Sequence, residues 1–317
     1  MTASDERAGV PRVSVLVLTY RHEEFVAETL ASVLEQDFAS FEVIVADDGS
    51  PDGTAAVVRE LAAQDARIVP VLHETNTGLA GNQNRALAAA RGEFVAWLGG
   101  DDLMLPGKLT KQVAVLDARP DATICCHDGD VFRSCDGASL GRFSDVYTGR
   151  RGFREGGPEL VLQPSRYVWP SSFLVRRSAI PAEGYDTRLR FTNEWVVDVA
   201  VLSQGPCVPI NEVLGRYRRH GGNVTSSPEL RQSALEEVLM ALAIIQARHP
   251  ELTRLIRRQR ASQLLTAALG AGSRRATLTL VGAAFRDGGV SGVAVAVSAA
   301  LAARIGRRRL GVSAPGA

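Results

Sequence analysis

An α/β fold is predicted for this 317-residue chain: a Rossmann-like, mostly parallel central sheet with helices on both faces, plus a helical C-terminal extension. Three features predict it. Short β-branched and aliphatic runs alternate with segments of helical apolar spacing, the rhythm of strand-helix-strand units. The runs are continuous rather than alternating, as suits strands buried on both faces. Beyond Pro228 the sequence becomes Ala-rich and helical in pattern.

Taken in order, Val13 to Leu18 is too short for a typical helix and reads as a strand, and Phe41 to Ala46 repeats it. Between them Phe25, Val26, Leu30, Val33 and Leu34 recur at helical spacing, with Glu23 and Glu24 where the helix dipole favours acids. Ser50-Pro-Asp-Gly-Thr54 is turn chemistry leading into a helix with Val57, Val58 and Leu61; Ile68 to Leu72 is the third strand. A helix over 80–90 and a strand over 93–98 complete this unit. The next helix starts near Pro106 and stops at Arg119-Pro120, because proline is tolerated in a first turn but not beyond it. Ala122 to Phe132 reads as a strand, and the Gly- and Arg-rich stretch Cys135 to Gly157 as a hairpin followed by a mobile loop. Phe173 to Val175 and Pro206 to Ile210 read as short strands flanking a helix through Trp195 to Leu202. The predicted organisation is a flexible tail over 1–11, one domain over 12–225 divided near residue 110, and a helical region over 226–317. No internal repeat is present.

Lys and Arg number 36 against 35 for Asp and Glu, so no global positive field points to nucleic acid as a partner. The polar N-terminus has no apolar run of a secretory signal. Four cysteines, Cys125, Cys126, Cys135 and Cys207, have neither zinc-ribbon spacing nor the density of a disulfide scaffold, and a reducing cytoplasm is the simplest reading. Val290 to Ile305 is apolar but shorter than the roughly 20 residues that span a bilayer, and reads as a packed helix. Its basic flank, Arg304, Arg307, Arg308 and Arg309, suits peripheral contact with anionic lipid at the inner face of the membrane.

Two acid pairs carry the chemistry. Asp47-Asp48-Gly49-Ser50 follows the second strand, and open α/β sheets bind ligands beyond the carboxyl ends of their strands. A carboxylate there can accept from a base or ribose edge, while the Gly-Ser turn lets backbone approach closely. Trp97-Leu-Gly-Gly-Asp-Asp102 follows another strand, and hard divalent cations favour one or two carboxylates together with substrate phosphates. Each pair alone is more simply a turn or helix cap; two at the ends of two strands of one unit argue for a site.

The run Val13 to Tyr20, Asp47-Asp-Gly-Ser50, Asn76-Thr-Gly78 with Asn84, Ala89-Ala-Arg-Gly-Glu93 and Gly99-Gly-Asp-Asp102 resembles family 2 glycosyltransferases, densely over residues 13 to 110. The resemblance implies a GT-A fold, with 12–110 as the nucleotide-binding half and 111–225 as the acceptor half. On it, Thr19, Tyr20, Asp47, Asp48, Asn76, Gly78 and Asn84 bind nucleotide, and Asp101, Asp102 and His220 hold Mn2+ or Mg2+ on the donor diphosphate. Asn193-Glu194-Trp195 ahead of Gly205 matches the place of the catalytic base, which gives that role to Glu194. Tyr217-Arg-Arg-His220, followed by Asn223 and Ser226, resembles the closing segment near the diphosphate, with Arg218 as a phosphate contact. Trp169-Pro-Ser171-Ser172 resembles the acceptor side. The implied activity is inverting transfer from a UDP-, GDP- or dTDP-sugar to a glycan, lipid-linked or small-molecule acceptor in cell-surface glycan, polysaccharide or glycoconjugate biosynthesis.

Three positions depart from that pattern. Gly99 stands where a first Asp is usual, Glu194 where the base is usually Asp, and Gln83 where relatives often carry Arg. They leave open a degenerate, non-catalytic module, against which both intact acid pairs count. A sugar-nucleotide nucleotidyltransferase lacks its Gly-rich basic loop after the first strand, where Leu18-Thr-Tyr-Arg-His22 stands. A dinucleotide oxidoreductase lacks its G-x-G-x-x-G turn. Trp97 and Cys125-Cys126 read as core, His249 as a helix end, and His22, His73 and His127 as isolated, without metal-ligand partners at useful spacing.

Overall fold

In the structure, a computed structural model describing residues 9–149, 152–163, 169–190, 192–221, 228–269 and 277–289, the continuous apolar runs become buried parallel strands. β1 (Val13–Thr19), β2 (Phe41–Asp47), β3 (Ile68–Leu72) and β4 (Phe94–Gly99) pair in the order β3-β2-β1-β4, all parallel. Successive side chains point to opposite faces. Val13, Val15 and Val17 therefore pack under α1 (Val26–Leu34), α2 (Thr54–Gln64) and α4 (Lys108–Ala118) through Leu30, Val58 and Leu109, whereas Leu16 and Ile44 join the opposite core with Ala80 and Ala86 of α3 (Gly78–Ala89). With both faces covered, no polar alternation is needed.

The sheet continues beyond residue 110 as a mixed one. β6 (Ile124–Arg133) bonds antiparallel to β8 (Leu174–Arg176), which bonds antiparallel to β4. β9 (Cys207–Arg219) runs parallel to β6 and antiparallel to β5 (Leu103–Met104). β7 (Ser139–Arg142) closes a hairpin on β6. The full order is β3-β2-β1-β4-β8-β6-β9-β5, with β7 beside β6.

Two expectations need correcting. The strand expected over Pro206 to Ile210 extends to Arg219, because its charged residues find partners on β6: Arg216 bonds Asp130 at 3.0 Å and stacks on Phe132. The stretch after the hairpin is not an open loop throughout. A π-helical turn spans Ser144–Thr148, with Phe143 and Val146 buried and the Asp128 carboxylate accepting from the Ser144 amide and hydroxyl. The two-residue β5 was too short to leave a periodic signal.

A short α5 (Glu159–Leu162) and α6 (Asn193–Leu202) carry the chain to the C-terminal helices α7 (Pro228–Arg248), α8 (Thr253–Leu269) and α9 (277–289). Val196 and Val199 of α6 pack against Val238, Ala241, Leu242 and Ile245 of α7, so the base candidate's helix lies between sheet and extension. His249 does follow the end of a helix, and Trp97, Cys125 and Cys126 are core. Residues 1–8, Asn223, Ser226, the apolar run 290–305 and its arginine flank lie outside the described residues. Among the described residues, no helix is long and apolar enough to cross a membrane.

Candidate active site

Strand register brings the first site residues into line. Thr19 pairs with Asp47, and Leu18 with Gly99, so β1, β2 and β4 end together at one edge. The buried Thr19 hydroxyl donates to Asp47 Oδ1 at 2.8 Å, and Asp47 also accepts from the Ser50 amide (3.0 Å) and hydroxyl (2.5 Å). Asp48 reaches over to the start of α3: its Oδ1 accepts from the Thr77 amide and hydroxyl at 2.8 and 2.9 Å, and its Oδ2 from the Gly78 amide at 2.8 Å. Asn76 Oδ1 accepts from the same Gly78 amide at 3.0 Å. Gly49, at φ +66°, lies so close to Thr75 that a Cβ would come within 2.7 Å of its carbonyl carbon. The two acids thus order the loops at the strand ends, where Tyr20 is 39% exposed with Arg21 over its ring.

Asn84 is turned elsewhere. Its side-chain amide donates to the Tyr185 carbonyl (2.8 Å) and accepts from the Tyr185 amide (2.7 Å), clamping α3 to the segment between β8 and α6. One residue earlier, Gln83 donates to Glu194 Oε1 at 3.2 Å and accepts from Asn193. Glu194 lies in the first turn of α6. Burial pushes its carboxyl up to about 7, and the single bond from Gln83 only partly offsets this. Asp198, one helical turn on, is likewise raised by burial and by Glu194.

The second acid pair divides. Asp101 Oδ2 meets His220 Nε2 at 2.9 Å, and ligand-capable atoms of His22, Asp101 and His220 all lie within 4.8 Å of one another. His22 Nδ1 is buried without a hydrogen-bond partner. Burial lowers the affinity of His22 for a proton, favouring the neutral imidazole that a cation requires. Burial alone would raise Asp101, but the bond from His220 and the charge of both histidines carry it below the usual carboxylate range. His22, isolated in the sequence, is therefore no longer so: it belongs to this cluster, 79 positions from Asp101 along the chain, a separation no motif spacing reveals.

Asp102 faces inward. Its Oδ2 accepts from the Trp169 indole (3.2 Å) and the Ser171 hydroxyl (2.9 Å), and its Oδ1 from the Arg218 amide (3.1 Å). Burial, reinforced by Asp101, raises its carboxyl. Nearby, Lys108 donates to the Ser171 carbonyl at 2.7 Å, and burial lowers its ammonium to about 7. Trp169, Ser171 and Ser172 are all buried, with the Ser172 hydroxyl on the Trp169 carbonyl, so this segment braces Asp102. Arg218 donates to the Asp101 carbonyl (2.7 Å), pairs with Glu28 of α1 (2.5 Å) and stacks on Phe25 and Phe132. Sequence reasoning missed Glu28, Lys108 and Glu237, the last of which accepts from the Thr192 amide and hydroxyl at the start of α6. Each is an ordinary surface-type residue in the sequence, made specific only by its partner.

The arrangement offers two acid pairs at the strand ends, an N,N,O donor set and a near-neutral carboxyl. The family model described as glycosyl transferase family 2 matches residues 14–182. The chain is 31% identical over 223 residues to an uncharacterized protein of Mycobacterium tuberculosis, covering 68% of this chain; it spans about three fifths of that relative, 61%. It is 35% identical over 133 residues, 42% of this chain and 52% of the relative, to the Bacillus subtilis protein named for teichuronic acid biosynthesis, the glycosyltransferase TuaG. In fold it resembles Staphylococcus aureus TarS 1-349 in complex with UDP-GlcNAc (TM-score 0.68, 17% identity, 94% of this chain and 90% of that one). It also resembles the Pyrobaculum calidifontis mannosyltransferase PcManGT in complex with GDP-Man and Mn2+ (TM-score 0.53, 21% identity, 92% and 86%).

Proposed function

The chain belongs to glycosyl transferase family 2, and on that premise we propose that it transfers a sugar, with inversion, from a nucleoside-diphosphate donor to an acceptor hydroxyl in polysaccharide or cell-surface glycan synthesis. The observation that carries the reading is the convergence of Asp101, His220 and His22 beyond the carboxyl ends of β1 and β4, where a diphosphate-bound cation belongs. The orphaned, buried Nδ1 of His22 and the two-imidazole, one-carboxylate donor set fit a divalent ion. Imidazole donors suit Mn2+ better than Mg2+, which favours oxygen. Such an ion supplies Lewis-acid stabilisation of charge on the leaving diphosphate.

The chain's own residues do the rest. Loops ordered by Asp47 and Asp48 present Tyr20 and backbone amides to the nucleoside. Arg218 holds the Asp101 backbone in place, and Asp102 fixes the turn from inside. Glu194, with its carboxyl near 7, accepts the proton of the acceptor hydroxyl as its oxygen attacks the anomeric carbon. A UDP-, GDP- or dTDP-sugar fills the donor role, as the complexes of TarS with UDP-GlcNAc and PcManGT with GDP-Man support. The name of TuaG supports a polysaccharide acceptor.

Calorimetry of UDP, GDP and dTDP with and without Mn2+, on wild type and Asp101→Asn, tests the reading. Metal-dependent binding of one nucleotide, lost in the variant, is expected. Binding indifferent to metal, or no binding at all, overturns it in favour of a degenerate module.

A further inference from the structure

Outside the donor site, α8 and α9 enclose an open cavity of about 650 Å3 lined by Arg254, Arg257, Arg258 and Arg286, together with Glu251 and Asp287. Both acids are already engaged: Glu251 meets His249 at 3.2 Å, and Asp287 meets Arg260 at 3.2 Å. None of the four lining arginines has an acidic partner among the described residues. Several other arginines of the chain do pair with carboxylates, as at Arg12, Arg119, Arg188 and Arg216. Four like charges lining one cavity repel one another, an arrangement that favours an external anion and that salt weakens.

The neighbouring surface shows which kind of anion. Leu280, Ala283 and Ala284 of α9 pack with Ala261, Leu264 and Leu265 of α8, which leaves Leu278 and Phe285, two helical turns apart, on the outside. They are 72% and 45% exposed, among the most exposed large apolar side chains described. A free phosphate compound has no use for them. A lipid surface does, because a helix that presents apolar residues beside guanidinium groups sits at the headgroup boundary and gains from anionic lipid.

We propose that Arg254, Arg257, Arg258 and Arg286, with Leu278 and Phe285, form a docking face for an anionic phospholipid surface. It uses none of the residues assigned above to the donor site, and none of the 304–309 arginine run. Phosphate headgroups enter the arginine cavity while the two apolar side chains insert beside them. The face does not depend on the transferase reading, and its test involves no turnover.

The full chain is sedimented with vesicles of phosphatidylcholine alone and of phosphatidylcholine with phosphatidylglycerol, at low and high salt. Binding is expected only to the anionic vesicles, and it should fall with salt. Replacing one exposed arginine should weaken binding roughly fivefold, so Arg257→Gln/Arg258→Gln should lose on the order of tenfold or more. Leu278→Ser/Phe285→Ser should also weaken it while leaving donor-nucleotide binding unchanged. Equal binding to both vesicle types, or full retention by the arginine variant, overturns the proposal. Pyrophosphate binding that the arginine variant loses, without vesicle binding, overturns the lipid assignment in favour of a soluble anion.

Discussion

Glu194 shows how one residue's surroundings set a measurable property. A guanidinium in place of the Gln83 amide would favour the charged carboxylate; the neutral amide leaves burial dominant and the carboxyl at about 7. A base works deprotonated, so kcat/KM should climb as pH rises through about 7 rather than through the ordinary glutamate range. Gln83→Arg should move that climb to lower pH, and a pH profile unchanged by the substitution would remove Glu194 from the role. Glu194→Gln should lose roughly 10²–10⁴-fold in turnover with donor affinity intact. In the sequence Glu194 stood out as a candidate through Asn193-Glu194-Trp195; its raised pKa was not legible, because the burial that raises it and the Gln83 contact 111 positions away exist only in the folded chain.

At the scale of elements, α6 owes its position to α7. Glu237 of α7 accepts from the Thr192 amide and hydroxyl at 2.8 and 3.1 Å, ordering the backbone just ahead of Glu194. Glu237→Ala should cost about 0.5–2 kcal/mol, the usual loss for a removed helix cap, read from the urea midpoint. It should also lower kcat while the donor KM stays put, since the base but not the nucleotide loops is loosened. Glu237→Gln keeps an acceptor oxygen and should recover most of the loss; a drop in stability with kcat untouched would make the contact merely structural. The helical pattern beyond Pro228 was plain in the sequence. That one of its acids caps the start of the helix carrying Glu194 was not, since a capping glutamate supplied by another helix leaves no local signature.

Across the whole molecule, Asp102 ties the exit of β4 to the 169–172 turn and to β9 through Trp169, Ser171 and Arg218. Asp102→Ala would leave three buried donors unmatched, each costing about 1–3 kcal/mol. Its unfolding midpoint should therefore fall much further than that of Asp101→Asn, whose loss should fall on metal-dependent binding. Similar stability losses from the two changes would mean that Asp102 does not anchor the exit of β4. By itself, the sequence determined the fold class, the strand ends that carry Asp47, Asp48, Asp101 and Asp102, and the position of Glu194. Apolar periodicity and turn chemistry are local, and strand ends follow from them directly. Only the tertiary structure decided that His22 joins Asp101 and His220, that Asp102 faces inward while Asp101 meets His220, and that Trp169 braces rather than lines the site. Those outcomes depend on which buried donors meet which acceptors across long separations in the chain, and the penalty for an unpaired buried polar group fixes them only once the sheet has closed.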